Sequence, residues 1–296
     1  MRVLNAIANA LWLMPAAYVR AFYAIASRDQ ASIAEEIRAR YDARKRGEGP
    51  HAVIANAGER LDGTCNVMYR DGVAIVPVIG PIFRYADWFT DISGATTLDD
   101  IAKGYAVAMS SPRVRDILFY IDSPGGEATG IHEFAQTILR PGADAGRKRH
   151  TAYGAGLIAS ASYWIGSACS EIVVDRTAMG PSIGVVFAVP NPATELYRDI
   201  EIVSTQSPKK RLDVTTAEGH QEIQQWADDL ADVFISSVAS NRDVSEDVVT
   251  SEAWGAGSMV VGEKLVSAGI ADRIGSFEQV VGELVSSRMS GAQISA

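Results

Sequence analysis

The chain has only two cysteines in 296 residues, Cys65 and Cys169, and that scarcity excludes a disulfide framework. No Cys-x-x-Cys pair and no Cys/His ligand spacing occurs, so no metal site, redox motif or other cofactor is expected. Two unpaired thiols fit a reducing compartment and a cytoplasmic location. Histidine is nearly as sparse, with His51, His132, His150 and His220 alone. Clustered positive charge is missing too. The net charge is −9 and basic residues gather only in Arg38–Arg46 and Arg147–His150. Both runs read as solvated faces, and nucleic acid is not an expected partner, because neutralising phosphates takes clustered Lys and Arg. Long apolar runs are absent as well. Val3–Val19 follows a basic Arg2 but contains two asparagines and Pro15, and at 17 residues it sits at the lower limit for crossing a bilayer. It reads as amphipathic helices packed on the body or a partner, in preference to a signal peptide or an anchor, and a membrane is not an expected partner. No internal repeat or low-complexity tract is present.

What is there has the texture of a soluble globular protein, 47% hydrophobic and 21% charged. The length suits one large domain or one domain with an appendage. Residues 1–60 read as a helical arm, 61–288 as the main domain and 289–296 as a frayed tail. Within the main domain, Gly72–Gly80 and Asp116–Asp122 are continuous apolar runs, the pattern of parallel strands covered on both faces. Thr97–Ser111 has helical spacing, with Leu98, Ile101, Tyr105, Val107 and Ala108 on its apolar side. Ala128–Leu139 reads as a second helix. Thr151 onwards reads as a strand ending in glycines, then an apolar helix from about Ser160. Strands follow over Glu171–Asp175, Ser182–Val189 and Glu201–Gln206. A long helix runs from Thr215/Thr216 to about Asn241, a shorter one spans Gly257–Ala268, Gly269–Ile274 is a strand, and Phe277–Arg288 is a last helix. Strand–helix alternation of this kind specifies an α/β fold with a parallel sheet and right-handed crossovers.

Three stretches carry groups capable of chemistry. Ser160 lies at a strand-to-helix turn, where a serine is either a helix cap or an exposed nucleophile beside backbone N–H groups. In Asp122-Ser-Pro-Gly-Gly126 a glycine pair follows a buried strand, the arrangement a backbone needs to approach a ligand closely. The N–H groups of Gly126 and Ala161 would together make a two-donor oxyanion hole; an ordinary tight turn gives the same spacing. A nucleophilic serine needs a base. No histidine falls in the 59 residues between Ser160 and His220, and His150 and His220 read as surface residues. Lysine is the alternative where neighbouring positive charge lowers its pKa, and Lys209, Lys210 and Arg211 stand together in a loop. A solvent-facing basic loop has the same composition.

Taken together, Ile121–Gly126 (IDSPGG), Ala159–Trp164 (ASASYW), Pro181–Val186 (PSIGVV) and the closing segment Trp254–Ser276 resemble the signal peptide peptidase A family of serine–lysine peptidases, over roughly Val73–Gly275. The resemblance implies a Clp protease/crotonase-like fold of repeated ββα units. It implies Ser160 as nucleophile, Lys210 as base with Lys209 as the alternative, and Ser182 as the serine that orients the lysine. Gly126 and Ala161 would form the oxyanion hole, with Gly125 and Ser162 beside the substrate. The sequence departs from the family pattern at Ala161-Ser162, where many relatives carry two glycines, which makes Ser162 a competing nucleophile. It departs again at Pro181, where relatives usually carry glycine. The stretch Val76–Asp100 and the helical arm are similar to the phage and prophage branch. That similarity implies a prohead protease acting on a capsid or scaffold protein in the host cytoplasm or assembling virion, and working as a homo-oligomer. Aromatic residues Phe83, Tyr85, Trp88 and Phe89 are expected at the cleft or an oligomer interface. The rival expectations are a membrane-associated signal peptide peptidase and an inert scaffolding protein of the same fold, with an acyl-CoA enzyme further off.

Overall fold

A computed structural model describes residues 12–13, 54, 57–85, 96–140, 148–187, 206, 209 and 212–286. The strands are β1 (Trp12–Leu13), β2 (Glu59–Arg60), β3 (Met68–Arg70), β4 (Val73–Ile79), β5 (Ile82–Phe83), β6 (Thr96–Thr97), β7 (Asp116–Ser123), β8 (Gly126–Glu127), β9 (Arg149–Ile158), β10 (Glu171–Val174), β11 (Met179–Pro181), β12 (Met259–Val261) and β13 (Arg273–Ile274). The helices are α1 (Leu98–Ser110), α2 (Ile131–Leu139), α3 (Ala161–Ser167), α4 (Ala217–Arg242), α5 (Glu246–Val249), α6 (Glu263–Ser267) and α7 (Phe277–Ser286). The large sheet runs β12-β11-β9-β7-β4-β3-β2, with β10 and β13 branching from β9. Its centre, β4-β7-β9-β10-β13, is parallel. A second sheet, β1-β8-β5-β6, continues from the ends of β4 and β7.

The apolar runs form central strands because both of their faces are covered. In β7, Ile117, Phe119 and Ile121 join the core under α1 to α4, while Leu118 and Tyr120 join a second core closed by Val280, Val281 and Leu284 of α7. In β4, Ala74, Val76 and Val78 face one way and Val73 and Ile75 the other. This is the period-2 geometry of a strand. Helix α1 is capped by Thr97, whose hydroxyl accepts from the Asp100 N–H, and α4 by Thr216, which accepts from Gly219. Trp164 of α3 stacks on Phe234 of α4 at 4.7 Å, and Tyr163 meets Trp254 edge-to-face at 6.1 Å. The Tyr163 hydroxyl and Trp254 indole donate to the carbonyls of Ile270 and Ala268, so the closing segment is fixed onto α3.

Several expected elements come out differently. Gly257–Ala268 is not one helix. Met259–Val261 pairs antiparallel with β11, Val261 is exposed, and only Glu263–Ser267 is helical. The β-branched pair Val260-Val261 suits a strand, and Gly262 turns the chain with a positive φ. The expected strand from Ser182 lies earlier, at Met179–Pro181, and residues 182–187 form no continuous strand. The two residues of the arm that are described as an element, Trp12–Leu13, are a strand. The strand expected over Glu201–Gln206 lies outside the described residues except at its last position. Among the described residues no helix is long and apolar enough to cross a membrane.

Candidate active site

The site is built where β9 runs out. Between β7 and β9 the register slips, Ile121 facing Gly154 while Ser123 faces Ile158, so β9 takes extra residues at its carboxyl end. Asp122 holds that bulge by accepting the Leu157 N–H at 2.9 Å. The early part of β9 pairs with β10 and Leu157 pairs with β11, so the sheet forks there. Ser160 follows at the fork. Its backbone has φ 55° and ψ −122°, a conformation costly for any residue with a Cβ. The Ser160 N–H donates to the Pro181 carbonyl at 2.6 Å and its carbonyl accepts from Trp164 at 3.0 Å, which fixes the turn. The Ser160 side chain supplies no cap hydrogen bond to α3. Instead Ser160 lines a cleft of about 350 Å³ together with Ser182, Ile183, Val185, Val186 and Met259.

Beside it, the Asp122–Gly126 segment is folded on itself. Gly125 donates its N–H to Ser123 Oγ at 3.2 Å and its carbonyl accepts from Ile82 at 2.9 Å. Both of its polar groups are therefore spent in the turn, and Gly125 does not offer them to a substrate. Gly126 packs so closely on β5 that a Cβ would lie 1.9 Å from the Ile82 carbonyl oxygen. Only glycine fits. Because N–H and C=O groups alternate along a strand, the Gly126 N–H faces away from β5. Ala161, the first residue of α3, has no intrahelical acceptor for its N–H.

The Ser123 carbonyl ties the two halves of the site together. It accepts from the Ala159 N–H at 3.2 Å and from Ser162 Oγ at 2.9 Å. Ser162 also accepts from the Ala159 N–H at 2.9 Å and contacts the Ala159 carbonyl at 2.8 Å. Its hydroxyl is spent in these bonds, and Ser162 does not line the cleft beside Ser160, contrary to its expected place. Ser123, Ser162 and Asp122 in structural roles are what the sequence reasoning missed. The signal was in the same motif, where Ser123 stands two residues before Gly125.

Ser182 has a positive φ of 49° and its hydroxyl donates to the Gly257 carbonyl at 3.1 Å. The bond Pro181 makes to Ser160 is through its main-chain carbonyl, which any residue at that position carries. Lys209 Nζ pairs with Glu222 of α4 at 2.6 Å, and its side chain is 74% exposed. It does not line the cleft. Lys210 lies outside the described residues. Among the described residues no histidine lines the cleft either. His132 Nδ1 is 3.1 Å from the Ser237 hydroxyl, and its ring packs on Trp164. His150 is buried at the opposite end of β9, not on the surface, with Nε2 3.2 Å from the Tyr105 hydroxyl. Burial, assisted by Lys148, brings its pKa down to about 4. Phe83 is buried and Tyr85 is exposed, while Trp88 and Phe89 lie outside the described residues. Among the described residues no three His, Cys, Asp or Glu side chains group as a metal site would need.

Residues 143–289, which hold the Ser160 turn, Ser182 and the closing segment, match the model of Peptidase family S49. The chain carries a peptidase family S49 domain. The chain as a whole is 28% identical to the head-tail preconnector protein GP5 of Enterobacteria phage P21 over 286 residues, which is 92% of this chain and 54% of that protein. It is 28% identical to the capsid assembly protease C of Escherichia phage lambda over 69% of this chain and 46% of that one. It is 27% identical to protease 4 of Salmonella typhi over 71% of this chain and 33% of that one. The chain spans about half the length of the two phage relatives and a third of the bacterial one. The S49 domain is a mixed α/β fold with a mostly parallel sheet, in line with the Clp/crotonase-like architecture implied by the motifs.

Proposed function

We propose that this S49 domain is a serine endopeptidase with a Ser160–Lys210 dyad, acting in phage or prophage head maturation. The observation that carries the reading is Ser160 itself. A serine in a strained turn, free of capping duty, faces a cleft that contains no histidine among the described residues. In the proposed cycle Ser160 Oγ attacks the scissile carbonyl and neutral Lys210 takes its proton. The N–H groups of Gly126 and Ala161 receive the oxyanion. The amine leaves with the proton from Lys210, and water then hydrolyses the acyl ester by the reverse transfers. Ser182, whose hydroxyl still has lone pairs free after donating to Gly257, would accept from the lysine ammonium and orient it. Lys210 is preferred to Lys209 because Lys209 is engaged with Glu222 on the outer surface.

The names of the two phage relatives support a capsid or scaffold protein as substrate, processed in the host cytoplasm or the assembling particle. A homo-oligomer is supported by Trp226 and Val233, which stand 43% and 44% exposed on α4.

The test is labelling by a serine-directed fluorophosphonate across about pH 6–10, the range in which a lysine base titrates. Wild type and Lys209→Ala are expected to label, and Ser160→Ala and Lys210→Ala are not. Label that persists in Ser160→Ala would overturn the nucleophile. Full labelling of Lys210→Ala would overturn the base, and no labelling of any chain would favour an inert scaffolding protein.

A further inference from the structure

Strand β8 has two edges. One is taken by β5, where the Ile82 N–H donates to the Gly125 carbonyl at 2.9 Å and Ile82 lies in register with Gly126. By alternation along the strand, the Gly126 N–H and C=O both face the other edge. That edge is occupied. β1 lies on it antiparallel, with Leu13 in register with Gly126 and Trp12 with Glu127. A residue opposite one whose N–H and C=O both face it forms a doubly hydrogen-bonded antiparallel pair. The main chain of Leu13 therefore stands at the N–H assigned above to the oxyanion, which is where an extended substrate would have to pair.

We infer that Trp12–Leu13 is an internal occupant of the substrate strand's place, which must leave β8 before a protein substrate can bind. Because the segment is tethered, it competes at the high effective concentration of an intramolecular ligand. The consequence for turnover rests on the peptidase reading, whereas the pairing itself does not.

The test uses the full chain. Leu13→Pro deletes the main-chain donor, whereas Leu13→Ala keeps it. Fluorophosphonate labelling of Ser160 is expected to accelerate about fivefold in Leu13→Pro, the factor for one net hydrogen bond, and by less in Leu13→Ala. A synthetic peptide spanning residues 9–17 should slow Leu13→Pro labelling competitively. Equal labelling rates in wild type and Leu13→Pro would overturn the inference. An assay independent of catalysis is hydrogen exchange in the Ser160→Ala chain. The amide of Gly126 should be protected there and exchange at least about fivefold faster once Leu13→Pro is added. Unchanged exchange overturns the occupancy. Faster exchange with no labelling of any chain upholds the occupancy and overturns the peptidase reading.

Discussion

Ser162→Ala separates a structural hydroxyl from a nucleophilic one. In the wild type Ser162 Oγ accepts from the Ala159 N–H and shares its proton between the Ser123 and Ala159 carbonyls, at 2.8–2.9 Å. All of these groups are buried, so water cannot replace the hydroxyl. The Ala159 N–H keeps a fallback in the Ser123 carbonyl at 3.2 Å, which limits the loss. Leaving one or two buried polar groups short of a partner costs about 1–3 kcal/mol. For a domain of this size that lowers Tm by roughly 3–9 °C. The assay is thermal unfolding alongside fluorophosphonate labelling. Ser162→Ala is expected to melt earlier and still label at Ser160, more slowly because Ala159 is less firmly held. A variant with unchanged Tm and no labelling would refute the reasoning and make Ser162 the nucleophile.

Gly126→Ala forces a Cβ against the Ile82 carbonyl and should destabilise by about 3 kcal/mol or more, read by urea unfolding, with labelling lost together with the fold. Lys209→Ala removes an exposed pair and should cost less than about 1 kcal/mol while Ser160 labels at the wild-type rate. His150 gives the fold a pH dependence of definite sign. Its folded pKa of about 4 lies below the ordinary 6.5, so between those values the unfolded chain binds more protons. Stability should therefore fall by up to about 3 kcal/mol as pH drops through that window, and urea midpoints of His150→Asn should show a flatter slope.

The central sheet was legible because β4 and β7 are apolar without interruption, a pattern that few structures other than a doubly covered strand produce. The Gly-Gly pair and the Ser160 turn were legible for a related reason, since backbone crowding and strain restrict which residues can stand there. Less visible was anything decided by a distant partner. His150 follows three basic residues, and nothing local says that Tyr105 and the core will enclose it. Ser162 looked as available as Ser160, because an offset of two residues at the turn decides which hydroxyl meets the cleft and which meets the Ser123 carbonyl. Gly257–Ala268 misled because its apolar spacing fits a helix, while pairing with β11 claims Met259–Val261 as a strand.

The fixtures of Ser160 are almost all main chain: the Pro181 carbonyl, the Trp164 N–H, and the Ser123 carbonyl acting through Ala159. Main-chain contacts do not depend on side-chain identity, so Ser160, the proposed nucleophile, is insulated from much of the sequence around it. The walls of the cleft, by contrast, include side chains that reach solvent, Val186 being 38% exposed. If the proposed peptidase reading holds, such a division lets substrate preference drift rapidly while the geometry around Ser160 stays fixed, which suits a chain 28% identical to its phage relatives. It also marks Val186 and Met259 as the positions from which an engineer would begin to retune selectivity.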